Sequence, residues 1–262
     1  MRDFTLNKYA ELLQKILSAG YPIFGIAAWL RTSPQAKAAI IRHDVDRRPD
    51  NAVKMAILES QMKVKTTYYF RMVGRAYCED TIRSVAHLGH EIGYHYEDLA
   101  VAKGNIYLAA ELFSRNLAKL RRLASVETIA MHGSPMSSQN NLEIWTQAKM
   151  SDYSIIGDAF LSLDYREIHY FTDTGRGWNR SITNLRDHPP GTALINLDGT
   201  RTKDLIRFLS QNKIKKLALG VHPERWNNNI FAWVRQAVFD SGCNVVKAIT
   251  NLIRARAVYP QN

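Results

Sequence analysis

Apolar residues recur along this chain with two alternating periods. Residues 6–19 carry Tyr9, Leu12, Leu13, Ile16 and Leu17 at helical spacing, and Gly20 stops the run. A stretch containing Pro22 and Pro34 reads as a short linker. Ala38, Ala39, Ile40 and Ile41 then lead into Asp44-Val45-Asp46, and Arg47, Arg48, Pro49 and Asp50 break the run, which predicts a buried strand. The spacing predicts a helix over 50–61, a β-branched and aromatic strand over 65–70, a helix over 79–88 ended by Gly89, and a strand over 91–95. Residues 105–124 form an amphipathic helix with Ala109, Leu112, Phe113, Leu117 and Leu120 on one face, and the strand 128–132 follows, stopped by Gly133-Ser134-Pro135. Residues 133–190 are less regular, with a short helix near 141–148 and several strands. A strand over Ala193-Leu194-Ile195-Asn196, a helix over 202–210 and a strand over 217–222 resume the alternation. The end, 229–255, is helical, with Gly242 expected to break or kink it.

Strand–helix alternation of this kind predicts a parallel sheet or barrel. The 262 residues suffice for one large α/β barrel or two small domains. No repeat and no dividing linker is visible, so the expectation is one domain over 1–262, with the N-terminal helix 5–20 and the C-terminal helices 229–255 packed on it. A hydrophobic share of 46% and a charged share of 23% are those of a globular protein. The net charge of +11 points to acidic partners, among them phosphorylated sugars, anionic glycans, nucleic acid or a membrane surface. The basic groups Lys119-Leu120-Arg121-Arg122 and Lys213-Ile214-Lys215-Lys216 lie in or beside helices and read as solvated faces. No helix-turn-helix, zinc-finger or RNA-platform motif supports specific nucleic-acid binding. Cys78 and Cys243 are too few and too far apart for a disulfide framework or a cysteine zinc site. Without a basic-then-apolar leader or a run of about 20 apolar residues, the expected location is cytoplasmic.

The chemistry gathers at strand ends. Asp44 and Asp46 stand two apart, so both project to one side at the strand's C-terminal end, where ligands sit in α/β folds. Two neighbouring carboxylates want a cation or a shared proton. Three of the eight histidines, His95, His132 and His222, also end a strand just before a turn. In a parallel barrel those ends share one mouth, so distance along the chain becomes convergence in space. One Asp with two His leaves coordination positions open, as a catalytic metal needs. His43 points to the opposite face from Asp44, and His43, His87, His169 and His188 read as structural.

With these residues in place, the chain resembles the polysaccharide deacetylase superfamily, the NodB-homology domain, over most of its length. It resembles a divergent cytoplasmic subgroup related to surface-glycan biosynthesis proteins more than secreted chitin or peptidoglycan deacetylases. The resemblance implies an α/β fold, a distorted, incomplete (β/α) barrel of about seven parallel strands. It makes Asp46 the metal carboxylate and Asp44 the catalytic base. Thr67-Tyr68-Tyr69-Phe70 is similar to the family's Thr-Phe-Phe strand, and Gly89-His90-Glu91-Ile92-Gly93-Tyr94-His95 to its Gly-His-Glu-Ile-Gly-Asn-His motif, which makes His95 a metal ligand. Val221-His222 fits the late motif that supplies the catalytic acid. Two departures stand out. Leu99 occupies the place of the family's second motif histidine, and the third motif lacks its base-steadying arginine. His132 then supplies the missing ligand, with Glu97 as the alternative, and Arg42, Arg47 or Arg176 steadies the base.

Two further stretches are expected to line a sugar-binding cleft, the segment 170–178 with Asp173, Arg176 and Trp178, and the segment 222–226 with Trp226. Together these readings predict a metal-dependent hydrolase, zinc being the default ion, that removes an N-acyl and most commonly an N-acetyl group from an amino sugar or glycan precursor. The alternatives are a catalytically degenerate glycan-binding barrel, and an amidohydrolase acting on a non-sugar C–N bond.

Overall fold

The computed structural model describes residues 2–134, 137–178, 187, 189, 191, 192, 197 and 199–258, with side chains to 249. The chain opens with α1 (Leu6–Ser18), capped by Thr5, whose hydroxyl accepts from the Lys8 amide at 3.1 Å. Next come β1 (Ile23–Phe24), α2 (Ile26–Thr32), β2 (Ala38–Val45), α3 (Pro49–Gln61), β3 (Thr67–Phe70), α4 (Glu79–His87), β4 (Glu91–Tyr96), the short α5 (Asp98–Val101), α6 (Ile106–Arg121) and β5 (Val126–Met131). After two 3₁₀ turns come β6 (Gly157–Asp158), β7 (Ile168–Thr172), α7 (Thr202–Ser210), β8 (Lys216–Val221) and the long α8 (Ile230–Val258).

All the described strands pair in parallel. Seven of them run in the order β6-β5-β4-β3-β2-β8-β7, with β1 joined to the start of β2. The sheet curls with helices outside it, and among the described strands the edges β6 and β7 do not pair, so the barrel is incomplete. No helix of the described residues is long and apolar enough to cross a membrane.

Period 2 along β2 sorts its side chains, and burial on both faces explains why the strand reads as a continuous apolar run. Ala39, Ile41 and Val45 join the outer core beneath the helices, whereas Ala38 and Ile40 face the interior with Tyr69, Ala130, Tyr170 and Ala218. Two glycines make room for those tyrosines. A Cβ at Gly93 would sit 2.2 Å from the Tyr69 ring, and one at Gly220 would sit 2.2 Å from the Tyr170 hydroxyl.

On the outer face of β2, His43 belongs to a sealed polar cluster around Glu59 rather than to the barrel mouth. Glu59 accepts from Tyr9 at 2.5 Å, Tyr68 at 2.7 Å and Thr66 at 2.8 Å, and its Oε1 lies 2.8 Å from His43 Nε2. Burial alone would raise this carboxyl, but His43, His90 and the Tyr9 hydroxyl hold it down at about 2.

Two local expectations are corrected. The stretch with Pro22 and Pro34 is no simple linker, since β1 and α2 lie within it. α8 runs through Gly242 without a break. A glycine costs a helix about 1 kcal/mol relative to alanine, too little to end one this long. The expected C-terminal helices are therefore a single helix. The expected strand over 193–196 lies outside the described residues, as does His188.

Candidate active site

Every strand that carries the predicted chemistry delivers it to the same end of the sheet. Asp44 sits in the last turn of the pleat in β2 and Asp46 just beyond it; His95 lies near the end of β4, and His132 and His222 follow β5 and β8 directly. They line one cavity of about 200 Å³. Asp46 Oδ1 lies 3.5 Å from His95 Nε2 and 3.7 Å from His132 Nε2. Asp44 Oδ2 is 4.0 Å from His95 Nε2.

The two imidazoles are held by their far nitrogens. His95 Nδ1 is 3.0 Å from the Ala130 carbonyl, and His132 Nδ1 is 2.9 Å from Glu97 Oε2. A carbonyl and a carboxylate only accept, so each Nδ1 carries a proton and each Nε2 is left facing Asp46. Burial lowers the His132 pKa and outweighs the neighbouring Asp46 and Glu97. Asp46 is buried, yet the neighbouring His132, His95 and His222 bring it well below the ordinary carboxylate range.

Glu97 does not face the cavity as a free donor. Arg71 grips both its oxygens at 2.6–2.8 Å, and His132 takes the rest. Burial is overridden by His132 and Arg71, which hold Glu97 at about 2. Leu99 is buried on α5 in the outer core.

Two carboxylate oxygens of the site are left in a state that a small divalent cation would satisfy. Asp44 Oδ1 and Asp46 Oδ1 are buried and have no hydrogen-bond partner among the described residues. A carboxylate oxygen in that state is costly unless a cation satisfies it. Ligand atoms about 2.0–2.2 Å from one tetrahedral ion stand about 3.3–3.6 Å apart, close to the two separations measured from Asp46. Among the described residues no three such side chains close into a formed metal cage. What the fold supplies is the spacing and the anchored Nδ1 atoms, the arrangement that orients ligands in metal sites.

Of the three arginines expected near the base, Arg42 is the one beside Asp44, with Nη2 3.5 Å from Oδ2. Asp187 and Tyr170 hold the same nitrogen at 3.0 and 2.8 Å, and Asp187 itself accepts from Thr172 and Thr174. Arg47 and Arg176 turn instead to Asp240 on α8, at 3.9 and 3.2 Å.

His222 follows β8, the strand beside β2, and so stands next to Asp44 in the register. Its Nδ1 lies 2.6 Å from Asp173 Oδ1, and Asp173 also accepts from the His222 amide, Arg225 and the Trp226 indole. Burial and Arg225 pull the imidazole down, but Asp173 and Asp46 outweigh them and raise it to about 9. Glu224, two residues on, turns to Arg47 at 3.5 Å, and burial with nearby Asp46 raises its pKa.

The four residues expected on a sugar-binding wall are not on one. Trp178 and Trp226 are fully buried, their ring centroids 6.3 Å apart, so neither presents a face to a ligand. Asp173 is sealed beneath His222, and Arg176 packs over Trp233 with its guanidinium on Asp240. Aromatic-plus-charged composition is shared by cleft walls and core edges, and here the core claimed these residues. The actual wall includes Arg71, Phe160 and Arg225, together with Asp240, Cys243, Asn244 and Lys247 from one face of α8. Arg225 belonged to a stretch that the sequence already singled out. The α8 residues carry no local signal, because only docking of the helix brings them to the cavity.

No family model matches the sequence, and no curated protein matches it. Among solved structures, the fold is similar to a CE4 esterase from Streptococcus mutans, at 13% identity and TM-score 0.45, covering 88% of this chain and 90% of that one. It is similar to a structure from Mycobacterium smegmatis assigned as a polysaccharide deacetylase, at 15% identity and TM-score 0.43, covering 72% of this chain and 78% of the other. A CE4 family pseudoenzyme from Bacillus anthracis is similar at 12% identity and TM-score 0.43; the match covers 79% of this chain, which spans 60% of that protein's length. At these identities the likeness concerns the fold alone.

Proposed function

We propose that this chain is a metal-dependent hydrolase that removes an N-acyl group, the N-acetyl group first among them, from an amino sugar or glycan precursor. The observation that carries the reading is the convergence on Asp46 Oδ1 of two imidazole Nε2 atoms, each anchored through Nδ1. Asp46, His95 and His132 would hold the ion, with Glu97 fixing His132 from behind. Zinc suits one carboxylate and two imidazoles. When bound, such an ion supplies Lewis acidity towards an acyl carbonyl and makes nearby water more acidic.

The chain's own groups divide the proton work. Asp44 takes the proton of the attacking water, and Arg42 at 3.5 Å keeps its carboxylate placed. His222 carries a proton at neutral pH because Asp173 stabilises the imidazolium, and donates it from Nε2 to the departing amine. An amine leaves poorly without that proton, so a base and an acid on the neighbouring strand ends of β2 and β8, lining one cavity, match amide hydrolysis. The whole chain serves this site as one barrel domain, with α1 outside the sheet and α8 along the mouth.

The test is to measure the metal content of the purified protein and then amine release from N-acetylated free, nucleotide-linked and lipid-linked amino sugars. Bound metal near one equivalent and release from one class are expected. Failure of added zinc, manganese, cobalt, nickel or iron to bind would overturn the reading. A second reading, a glycan-binding barrel without turnover, is favoured by Leu99. It predicts sugar binding with no amine released after metal loading.

A further inference from the structure

Positive charge is unevenly distributed around the cavity. On the side of Asp44 and Asp46 the carboxylates dominate. On the α8 side Arg47, Arg176 and Arg225 all approach Asp240, at 3.9, 3.2 and 3.8 Å, while Arg47 also meets Glu224 at 3.5 Å and Arg225 meets Asp173 at 3.2 Å. Asp240 already accepts from Gln236 as well. Arg225 Nε is buried without a hydrogen-bond partner among the described residues, although Arg225 lines the cavity. Its other carboxylate, Asp173, accepts from Arg225 Nη1 at 3.2 Å but is shared with His222 and the Trp226 indole.

One further cation lies on the same wall. Asp240, Cys243, Asn244 and Lys247 follow the i, i+3, i+4, i+7 pattern, so one stripe of α8 faces the cavity. The Asn244 side chain donates to the Gly175 carbonyl at 2.9 Å, which pins that stripe in place. Lys247 is two turns beyond Asp240, about 10 Å along the helix axis, out of reach of that carboxylate. It is half-buried and makes no hydrogen bond or ion pair among the described residues. Burial and the facing Arg225 lower its pKa, and Asp187 and Asp46 only partly offset them. A solvated lysine would swing outward; this one lines the cavity.

We propose that Lys247, with Arg47 and Arg225, forms an anion subsite in the candidate active cavity, which takes a carboxylate or phosphate substituent carried by the amino sugar. The assignment rests on the hydrolase reading for the sugar, but the subsite itself stands on the charge arrangement. An oxyanion placed there would accept from Lys247 Nζ and from the guanidinium of Arg225, charge-assisted bonds in a partly desolvated wall. Arg47 stacks on Phe239 at 4.0 Å and is more exposed than Arg225, suited to the outer rim of the same group. A neutral sugar would leave these cations facing one another.

The test is calorimetric titration of the full-length protein with three probes: N-acetylglucosamine, N-acetylglucosamine 1-phosphate and an N-acetylamino uronic acid. Both anions should displace little of the site but gain Lys247, so at least one should bind about 10–100-fold more tightly than the neutral sugar. Lys247→Gln should remove that preference and leave the neutral sugar unaffected. Lys247→Arg should retain most of it. The two anionic arms tell phosphate from carboxylate. The subsite is overturned if neither anion binds better than the neutral sugar, or if Lys247→Gln binds the preferred anion as wild type does. Amine release, followed in parallel, separates the two ideas. Lys247-dependent anion binding without any release keeps the subsite and removes the hydrolase. Equal release from neutral and anionic sugars, unchanged in Lys247→Gln, does the reverse.

Discussion

Asp173→Asn isolates the contribution of one buried carboxylate to the candidate acid. The substitution keeps the shape of the side chain and an oxygen that can still accept from His222 Nδ1, but removes the charge. His222 is raised from 6.5 to about 9, and Asp173 is the foremost group raising it, against burial and Arg225. Each pKa unit is about 1.4 kcal/mol, so the folded protein favours the imidazolium by about 3 kcal/mol. Without Asp173, burial and an uncompensated Arg225 should return His222 to its ordinary value or lower. At pH 8 the protonated fraction would then fall from about 90% to about 3%, and kcat by about 30-fold. The alkaline limb of the kcat profile should move down by about 2 units or more, while the acid limb, set by another group, should stay. A direct readout needs no substrate: the His222 ring proton resonance, assigned by its loss in His222→Ala, should titrate near 9 in wild type and below 7 in the variant. Removing one partner from a buried ion pair costs about 3–5 kcal/mol, so the variant should also melt earlier, and circular dichroism must show it folded at the assay temperature. An unchanged titration midpoint in folded Asp173→Asn would refute the assignment of the imidazolium to this pair.

Other substitutions bear on the remaining roles. Asp44→Asn should lower kcat by about 10²–10⁴-fold with metal content retained, measured by elemental analysis, because the amide cannot accept the water proton. Glu97→Gln should weaken metal affinity about 10–100-fold in a chelator competition, since His132 loses the carboxylate behind Nδ1; unchanged affinity would remove His132 from the ligand set. Glu59 is a depressed carboxylate, so its contribution to stability is present above its ordinary 4.5 and is lost as pH falls towards about 2. Denaturant melts from pH 5 to pH 2 should show about 3 kcal/mol of loss from this group in wild type, and Glu59→Gln should lack that component.

Local pattern sufficed for most of the scaffold. The continuous apolar lead-in of Ala38–Val45, buried on both faces, and period 3.6 in α1 and α6, buried on one, are each written into the segment alone. The strand ends bearing Asp44, Asp46, His95, His132 and His222 were legible for the same reason, since parallel strands must bring their C-terminal ends together. The roles of charged and aromatic residues between the elements were not legible. Trp178 and Trp226 have the composition of a sugar platform, and only packing against Phe4, Tyr9 and each other makes them core. Glu97 has the chemistry of a ligand, and only the approach of Arg71 and His132 turns it into a support. Asp173 becomes the partner of His222 because β7 and β8 lie side by side, although 49 residues separate the two in the chain. The α8 wall is the extreme case. Gly242 marked a break that helix propagation carries through, and the face holding Asp240 and Lys247 acquires its meaning where the helix docks. A helix's own sequence sets its periodicity, but the charges that its polar face will meet belong to distant parts of the chain, and only the tertiary structure brings them together.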